Sequence, residues 1–148
     1  MTHLDTNFLI ASLTPATAES RRVSEWLSAG ETVGLSVIAW AEFLCGPVSP
    51  QQTVLASAAF PDPVALTAQD AARAAELLNA TGRRRGSLAD CLIAATCLRL
   101  GASIATNNTQ DFQRFAPMGP TGGVARQGPL CGPSYPVRGP RPTSAITA

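Results

Sequence analysis

Short β-prone stretches that alternate with helical ones limit what this 148-residue chain can fold into. Residues 2–6 read as a strand, and residues 7–13 continue as a short helix ended by Pro15. From Thr17 on, Val23, Trp26 and Leu27 recur at i, i+3 and i+4, which is the spacing of one helical face. Gly30 closes that helix as a C-cap. Residues 32–35 form a second strand. Ser36 is a good N-cap for a helix over residues 37–45, closed by Gly46-Pro47. That helix is apolar nearly all round, so it is expected to be buried. Residues 49–59 predict a further helix with Pro50 in its first turn. Pro61-Asp62-Pro63 is a turn and residues 64–66 a brief strand. Thr67 caps a helix over residues 68–80, with Asp70 completing a capping box and Gly82 ending it. After an Arg83-Arg84-Arg85-Gly86 loop, Ser87 starts a helix that runs to Leu100 and stops at Gly101. Its apolar stripe is Leu88, Cys91, Leu92, Ala95 and Leu98. Residues 102–106 are the last clear strand, and residues 107–111 a polar turn into a short helix with Phe112 and Phe115. Alternation of this kind implies an α/β fold with a parallel sheet covered by helices on both faces. Sites in such sheets form outside the carboxyl ends of the strands.

Composition removes several function classes. Hydrophobic residues make up 45% of the chain and charged ones 14%, which suits one domain with a real core. A net charge of +1 gives no long electrostatic footprint on nucleic acid. His3 is the single histidine and no CxxC pair occurs, so a zinc site of the usual kind is excluded. His3 itself is expected to be a strand residue and not a catalytic base. Cys45, Cys91 and Cys97 read as small buried hydrophobes, and Cys131 as a thiol in the tail. No apolar run approaches a membrane span and no signal segment opens the chain, so no membrane partner and a cytoplasmic location are expected. From Pro117 the character changes: residues 117–148 hold 7 of the 12 prolines and 6 of the 12 glycines. The expected division is a folded domain over residues 1–116 and a Gly/Pro-rich, disordered tail over 117–148. That tail is read either as a genuine basic extension or as the product of a shifted reading frame.

Four acids stand out by context. Asp5 follows the first strand, Glu42 sits inside the apolar 37–45 helix, Asp90 lies in the first turn after Ser87, and Asp111 follows the last strand. Parallel strands would carry Asp5 and Asp111 to one sheet edge, with Asp90 at a helix start beside it. Carboxylates crowded together repel unless cations sit among them, and magnesium or manganese takes oxygen ligands of this type. Without a histidine cluster or a serine motif, the chemistry this set favours is metal-assisted hydrolysis of a phosphodiester. Each acid also has a plainer explanation. Asp90 and Asp111 stand three residues after Ser87 and Asn108, as N-terminal caps do, and Asp5 can bond backbone amides at the strand end. Glu42 is the hardest to explain away, because a charge inside an apolar helix is rare without a partner.

The same segments resemble the PIN-domain toxins of bacterial toxin–antitoxin pairs, the VapC family. The resemblance is carried by Leu4-Asp5-Thr6-Asn7 with Phe8-Leu9-Ile10 and by Ser36 to Gly46 around Glu42. It continues through Ser87-Leu88-Ala89-Asp90-Cys91-Leu92-Ile93 and Leu100 to Phe112, which includes Thr106-Asn107-Asn108-Thr109-Gln110-Asp111. Their order covers residues 1 to about 116. The resemblance implies a three-layer α/β/α fold with a central parallel sheet of about four to five strands. It also implies a Mg2+-dependent endoribonuclease, with Mn2+ as a substitute. Metal ligands would fall on Asp5 and Asp90, completed by Glu42 and Asp111, with Glu42 or Asp111 as orienting base. Thr6, Asn7, Thr106 and Asn108 would support the pocket. The implied partners are an RNA substrate, a cognate antitoxin and a second copy of the chain in a homodimer.

The chain departs from the family at its end, where Pro120 and Gly122-Gly123 make a poor final strand. Arg83, Arg84 and Arg85 are candidates to grip RNA phosphates or an acidic antitoxin segment; the plainer reading is a solvated loop. The helices around residues 23–27 and 49–59 are candidates for an antitoxin groove. Three rival functions remain at this point. One is a metal-dependent DNA nuclease, and another a catalytically impaired PIN fold that only binds antitoxin or RNA. A phosphatase of the haloacid dehalogenase type is the weakest, because Asn7 stands where its second Asp belongs.

Overall fold

The computed structural model describes residues 1–82 and 88–115 and the backbone of a strand at 122–125. In chain order its elements are β1 (Thr2–Leu4), α1 (Thr6–Ser12), α2 (Ala18–Ser28), β2 (Val33–Gly34), α3 (Val37–Cys45) and α4 (Pro50–Ala59). They continue as α5 (Ala68–Ala80), α6 (Leu88–Leu100), β3 (Ser103–Ala105), α7 (Thr109–Gln113) and β4 (Gly122–Ala125). The sheet is parallel, in the order β2-β1-β3-β4. All three residues of β1 are buried, although alternate side chains leave on opposite faces, so both faces of the central strand are covered.

Local chemistry sets the element ends. Thr17, Ser36, Ser49 and Thr67 each accept a backbone N–H three residues on, and Ser49 and Thr67 complete capping boxes with Gln52 and Asp70. After α2 the N–H of Gly30 donates to Leu27 and that of Glu31 to Trp26, the paired bonds of a Schellman motif. Its left-handed position is Gly30, with φ of +74°. The arrangement recurs after α6, where Gly101 has φ of +60° and donates to Leu98 while the Ala102 N–H donates to Cys97.

Three expectations need correction. Residues 64–66 are not a strand of the sheet; Val64 makes only an isolated parallel bridge with Ser36. Conversely, β4 pairs with β3 at residues where the glycines predict poor strand formation. Ladder pairing uses only backbone N–H and C=O groups, and at a sheet edge one side of the strand is enough. Helix α3 is not buried all round either. Ala39 and Phe43 face the core, whereas Ala41, Glu42, Leu44 and Cys45 are exposed. Apolar content alone does not say how many neighbours a helix has. The helix with a continuous buried run is α6, from Ile93 to Cys97, while Leu88 at its start and Leu100 at its end are exposed. Cys45 is therefore an exposed thiol, and only Cys91 and Cys97 are buried as expected. Cys131 and most of the 117–148 tail lie outside the described residues.

His3 is a core residue, paired in register with Gly34 and Ile104. It is 1% exposed and neither ring nitrogen has a hydrogen-bond partner among the described residues. Burial lowers its pKa from the ordinary 6.5, helped by the N-terminal amine and Arg99. A depressed histidine favours the neutral ring in the folded state. The unfolded chain therefore takes up the proton first, and stability is lost as pH falls below about 6.5. We expect stability between pH 7 and 5 to fall with a slope of up to roughly 1.4 kcal/mol per pH unit. Chemical denaturation of His3→Leu over the same range should show that slope removed; an unchanged slope would count against this account.

A carboxylate cleft at the strand-order reversal

From β1 the chain crosses to β2 on one side, then returns past β1 to β3 on the other. A crevice opens where strand order reverses, outside the carboxyl ends of the strands. The residues that follow β1 and β3 meet there. Asp5 donates its backbone N–H to Ala105 O at 3.0 Å. Its carboxylate is buried and bonded on both oxygens: Oδ1 accepts the Phe8 N–H at 2.7 Å, and Oδ2 accepts the Thr106 hydroxyl. Asp5 is thus the N-cap of α1, as the plainer reading held, and it also faces the crevice. Thr106 in turn accepts the Asn108 N–H at 2.9 Å. The turn after β3 and the carboxylate after β1 are joined in one network.

Two further elements bring acids to the same place. Asp5, Thr6, Asn7, Glu42, Asp90 and Ile93 line a cleft of about 130 Å³. Glu42 reaches it from α3, where its Oε2 accepts the Thr6 hydroxyl at 2.7 Å. Its setting differs from the expected one, because it lies on the exposed face of its helix and not within an apolar sleeve. Asp90 comes from the first turn of α6. Asp111 does not line the cleft. It lies behind Asp90 on α7, bonded by the Asn108 amide, and is linked to Asp90 through Arg114. Of the pocket-support residues, Thr6 and Asn7 line the cleft, while Thr106 and Asn108 act one step back. Arg83, Arg84, Arg85 and Ser87 lie outside the described residues.

Electrostatics supports a shared site. Burial raises the Asp5 pKa and the Glu42 charge raises it further, against hydrogen bonds from Thr106, Phe8 and Asn7 that lower it. Burial also raises Asp90, followed by the charge of Asp111; Arg114 lowers it, and Glu42 and Asp5 add to the rise. These acids resist ionising together, which is the condition a cation relieves. The donors are all hard oxygens, which fits magnesium or manganese and not a soft metal. Among the described residues no three acidic, histidine or cysteine side chains converge as a ready-made metal cage. Magnesium does not require one, since it keeps several waters and takes one or two protein carboxylates. The carboxylates of Asp5, Glu42 and Asp90 that line the cleft therefore fit such an ion.

Arg114 is a residue of the site that the sequence alone did not single out. Its signal was its spacing: three residues after Asp111, on the same side of a short helix.

A family model for the PIN domain matches residues 3–117. No curated protein matches the chain in sequence. Among solved structures, VapBC2 from Rickettsia felis, bound to a DNA fragment from its promoter, is similar over 76% of this chain and 91% of that one. The identity is 22% and the TM-score 0.61. FitAcB from Neisseria gonorrhoeae is 28% identical over 77% of this chain and 92% of that one, with a TM-score of 0.58. A toxin–antitoxin complex from Klebsiella pneumoniae is 24% identical over 76% and 90%, with a TM-score of 0.61.

Proposed function

The chain belongs to the PIN-domain family, and on that premise we propose that it is the toxin of a toxin–antitoxin pair, an Mg2+-dependent endoribonuclease that hydrolyses RNA phosphodiester bonds. PIN domains are in general nucleases. The observation that carries the reading is the meeting of Asp5, Glu42 and Asp90, from three separate elements, in one cleft at the strand-order reversal. A bound magnesium or manganese ion would supply a lowered pKa for a water and charge neutralisation at the scissile phosphate. Asp5 and Asp90 hold the ion in this reading. Thr6 fixes the Glu42 carboxylate at the cleft rim, where it accepts a proton from the attacking water. Thr106 and Asn108 keep Asp5 and Asp111 oriented.

A cognate antitoxin and a second copy of the chain are the proposed partners. The support is exposed apolar side chains on three helices: Leu27 of α2 is 58% exposed, Leu44 of α3 48%, and Val54 and Leu55 of α4 68% and 55%. The similar structures include toxin–antitoxin complexes. No helix among the described residues is long and apolar enough to cross a membrane, and a cytoplasmic location fits a nuclease acting on cellular RNA.

The test is direct. Purified full-length protein is incubated with RNA and, separately, with single- and double-stranded DNA, in Mg2+, Mn2+ or EDTA. RNA cleavage that requires the metal is expected. Cleavage undiminished in EDTA overturns the metal role, and cleavage confined to DNA reassigns the substrate. No cleavage in any buffer, with antitoxin binding retained, identifies a binding module.

A further inference from the structure

Arg114 is the one cation at the acid cluster among the described residues. Its side chain is 16% exposed. One terminal guanidinium nitrogen lies 3.4 Å from Asp90 Oδ2 and the other 3.4 Å from Asp111 Oδ1. The fork thus spans two carboxylates that belong to different helices. From behind, the guanidinium carbon stands 4.9 Å from the ring centre of Phe115, which is fully buried. The Nε is buried and has no hydrogen-bond partner among the described residues.

This is not how an arginine that merely ties two elements together is held. A structural clamp forms short charge-assisted bonds, near 2.7–2.9 Å, and uses its buried donors. Arg114 does neither: both terminal contacts are long, and a buried N–H stays unsatisfied, which costs free energy. The group is kept near two acids by the ring beneath it and by charge. Arginine is suited to this, because its guanidinium stays ionised in any surroundings a protein offers.

We propose that Arg114 is the pocket's built-in counter-cation, which neutralises Asp90 and Asp111 in the metal-free protein and gives up Asp90 when a divalent ion binds. The inference rests on the metal-site reading above and makes Arg114 a positioning residue. An ion held by Asp90 and the Arg114 guanidinium repel each other at a separation of a few ångströms. Without that repulsion the ion binds more tightly, by about tenfold at moderate salt. The same loss removes the positive charge set between Asp90 and Asp111, so the metal-free protein is weakened and gains more from metal.

The test compares full-length wild type with Arg114→Gln. Mn2+ affinity is measured by electron paramagnetic resonance of the free ion, and melting is followed in EDTA and in Mn2+. The variant is expected to bind Mn2+ about tenfold tighter, to melt lower in EDTA and to show a larger Mn2+-induced rise. A folded variant that binds Mn2+ equally or more weakly overturns the proposal. Loss of RNA binding with Mn2+ affinity unchanged also overturns it, and makes Arg114 a phosphate contact. A second measurement needs no variant: the Arg114 Nε–Hε resonance of the wild type should shift on saturation with Mg2+, and a resonance that stays put refutes displacement. Failure of the metal-site reading itself looks different, because the wild type then binds no Mn2+ at all and both fall together.

Discussion

Asp5→Asn should lower RNA cleavage at least about a hundredfold while leaving the fold in place. The two halves of this expectation come from different properties of one side chain. As an N-cap, Asp5 needs only an oxygen to accept the Phe8 N–H, and asparagine caps as well as aspartate. The lost contact is the bond from Thr106, whose hydroxyl already accepts from Asn108 and has a lone pair left to accept from an amide. Against that small loss stands a gain. Burial and the Glu42 charge raise the Asp5 pKa, so the ionised carboxylate is unfavourable in the folded protein at neutral pH. A neutral isostere does not carry that cost. Melting of the variant in EDTA should therefore equal or exceed that of wild type. Its Mn2+ affinity and its cleavage rate should both collapse, because an amide oxygen is a weak ligand and carries no charge. Cleavage within threefold of wild type would remove Asp5 from the catalytic role. An unfolded variant would show that the network through Thr106 matters more than the cap.

The behaviour of Asp5 also shows what was legible in the sequence. Alternating strands and helices, together with capping residues, located nearly every described element. Val37–Cys45 and Ala68–Ala80 carry the expected bounds because Ser36 and Thr67 cap them with side-chain bonds that are local in sequence. The carboxyl-edge rule then brought Asp5 beside the turn after β3. What the sequence could not show depends on neighbours. Whether Glu42 is sheltered depends on what covers α3, and nothing in residues 37–45 encodes that. The same applies to Cys45, which reads as a buried hydrophobe until the empty side of its helix is seen. Strand β4 shows the limit from the other direction. Glycine is poor at making strands on its own, yet β3 offers an open row of backbone partners, and composition gives no account of a partner as distant as Ser103 is from Gly122 or Ala105 from Ala125. Arg114 was hidden for a similar reason: its meaning lies in Asp90, which reaches it across the fold from another helix.

Arg99→Met should lower the melting temperature by about 6 °C at pH 7, more than Asp70→Asn does, although both break the same ion pair. The asymmetry follows from where the two ends lie. Asp70 is 1% exposed, and Arg99 is 26% exposed. Asp70 Oδ1 accepts Arg99 Nε at 2.8 Å, while Oδ2 accepts the N–H and the hydroxyl of Thr67, each at 2.9 Å. One carboxylate thus caps α5 and pins it to α6, the helix that also carries Asp90 into the cleft. Removing Asp70's charge leaves a guanidinium that turns to water. Removing Arg99 leaves a buried carboxylate whose Oδ1 has lost its Arg99 bond, while Oδ2 keeps the two bonds from Thr67. The pH dependence gives the sharper check. Burial alone raises the Asp70 pKa, but Arg99 and the Thr67 cap more than offset it and hold the acid below its ordinary 3.8. A depressed carboxylate contributes stability that is present above the unfolded pKa and lost as pH falls through the folded one. Without Arg99 the burial effect is no longer opposed by a cation, so the carboxyl protonates more readily and the cost of stranding it disappears in acid. The melting difference between wild type and Arg99→Met should therefore be full at pH 7 and shrink as pH falls through about 3.8. Thermal melts in EDTA across that range measure it. A difference that stays constant with pH would mean that Arg99 acts through its packing and its 3.2 Å bond to the Ala65 carbonyl, and not through the buried charge of Asp70.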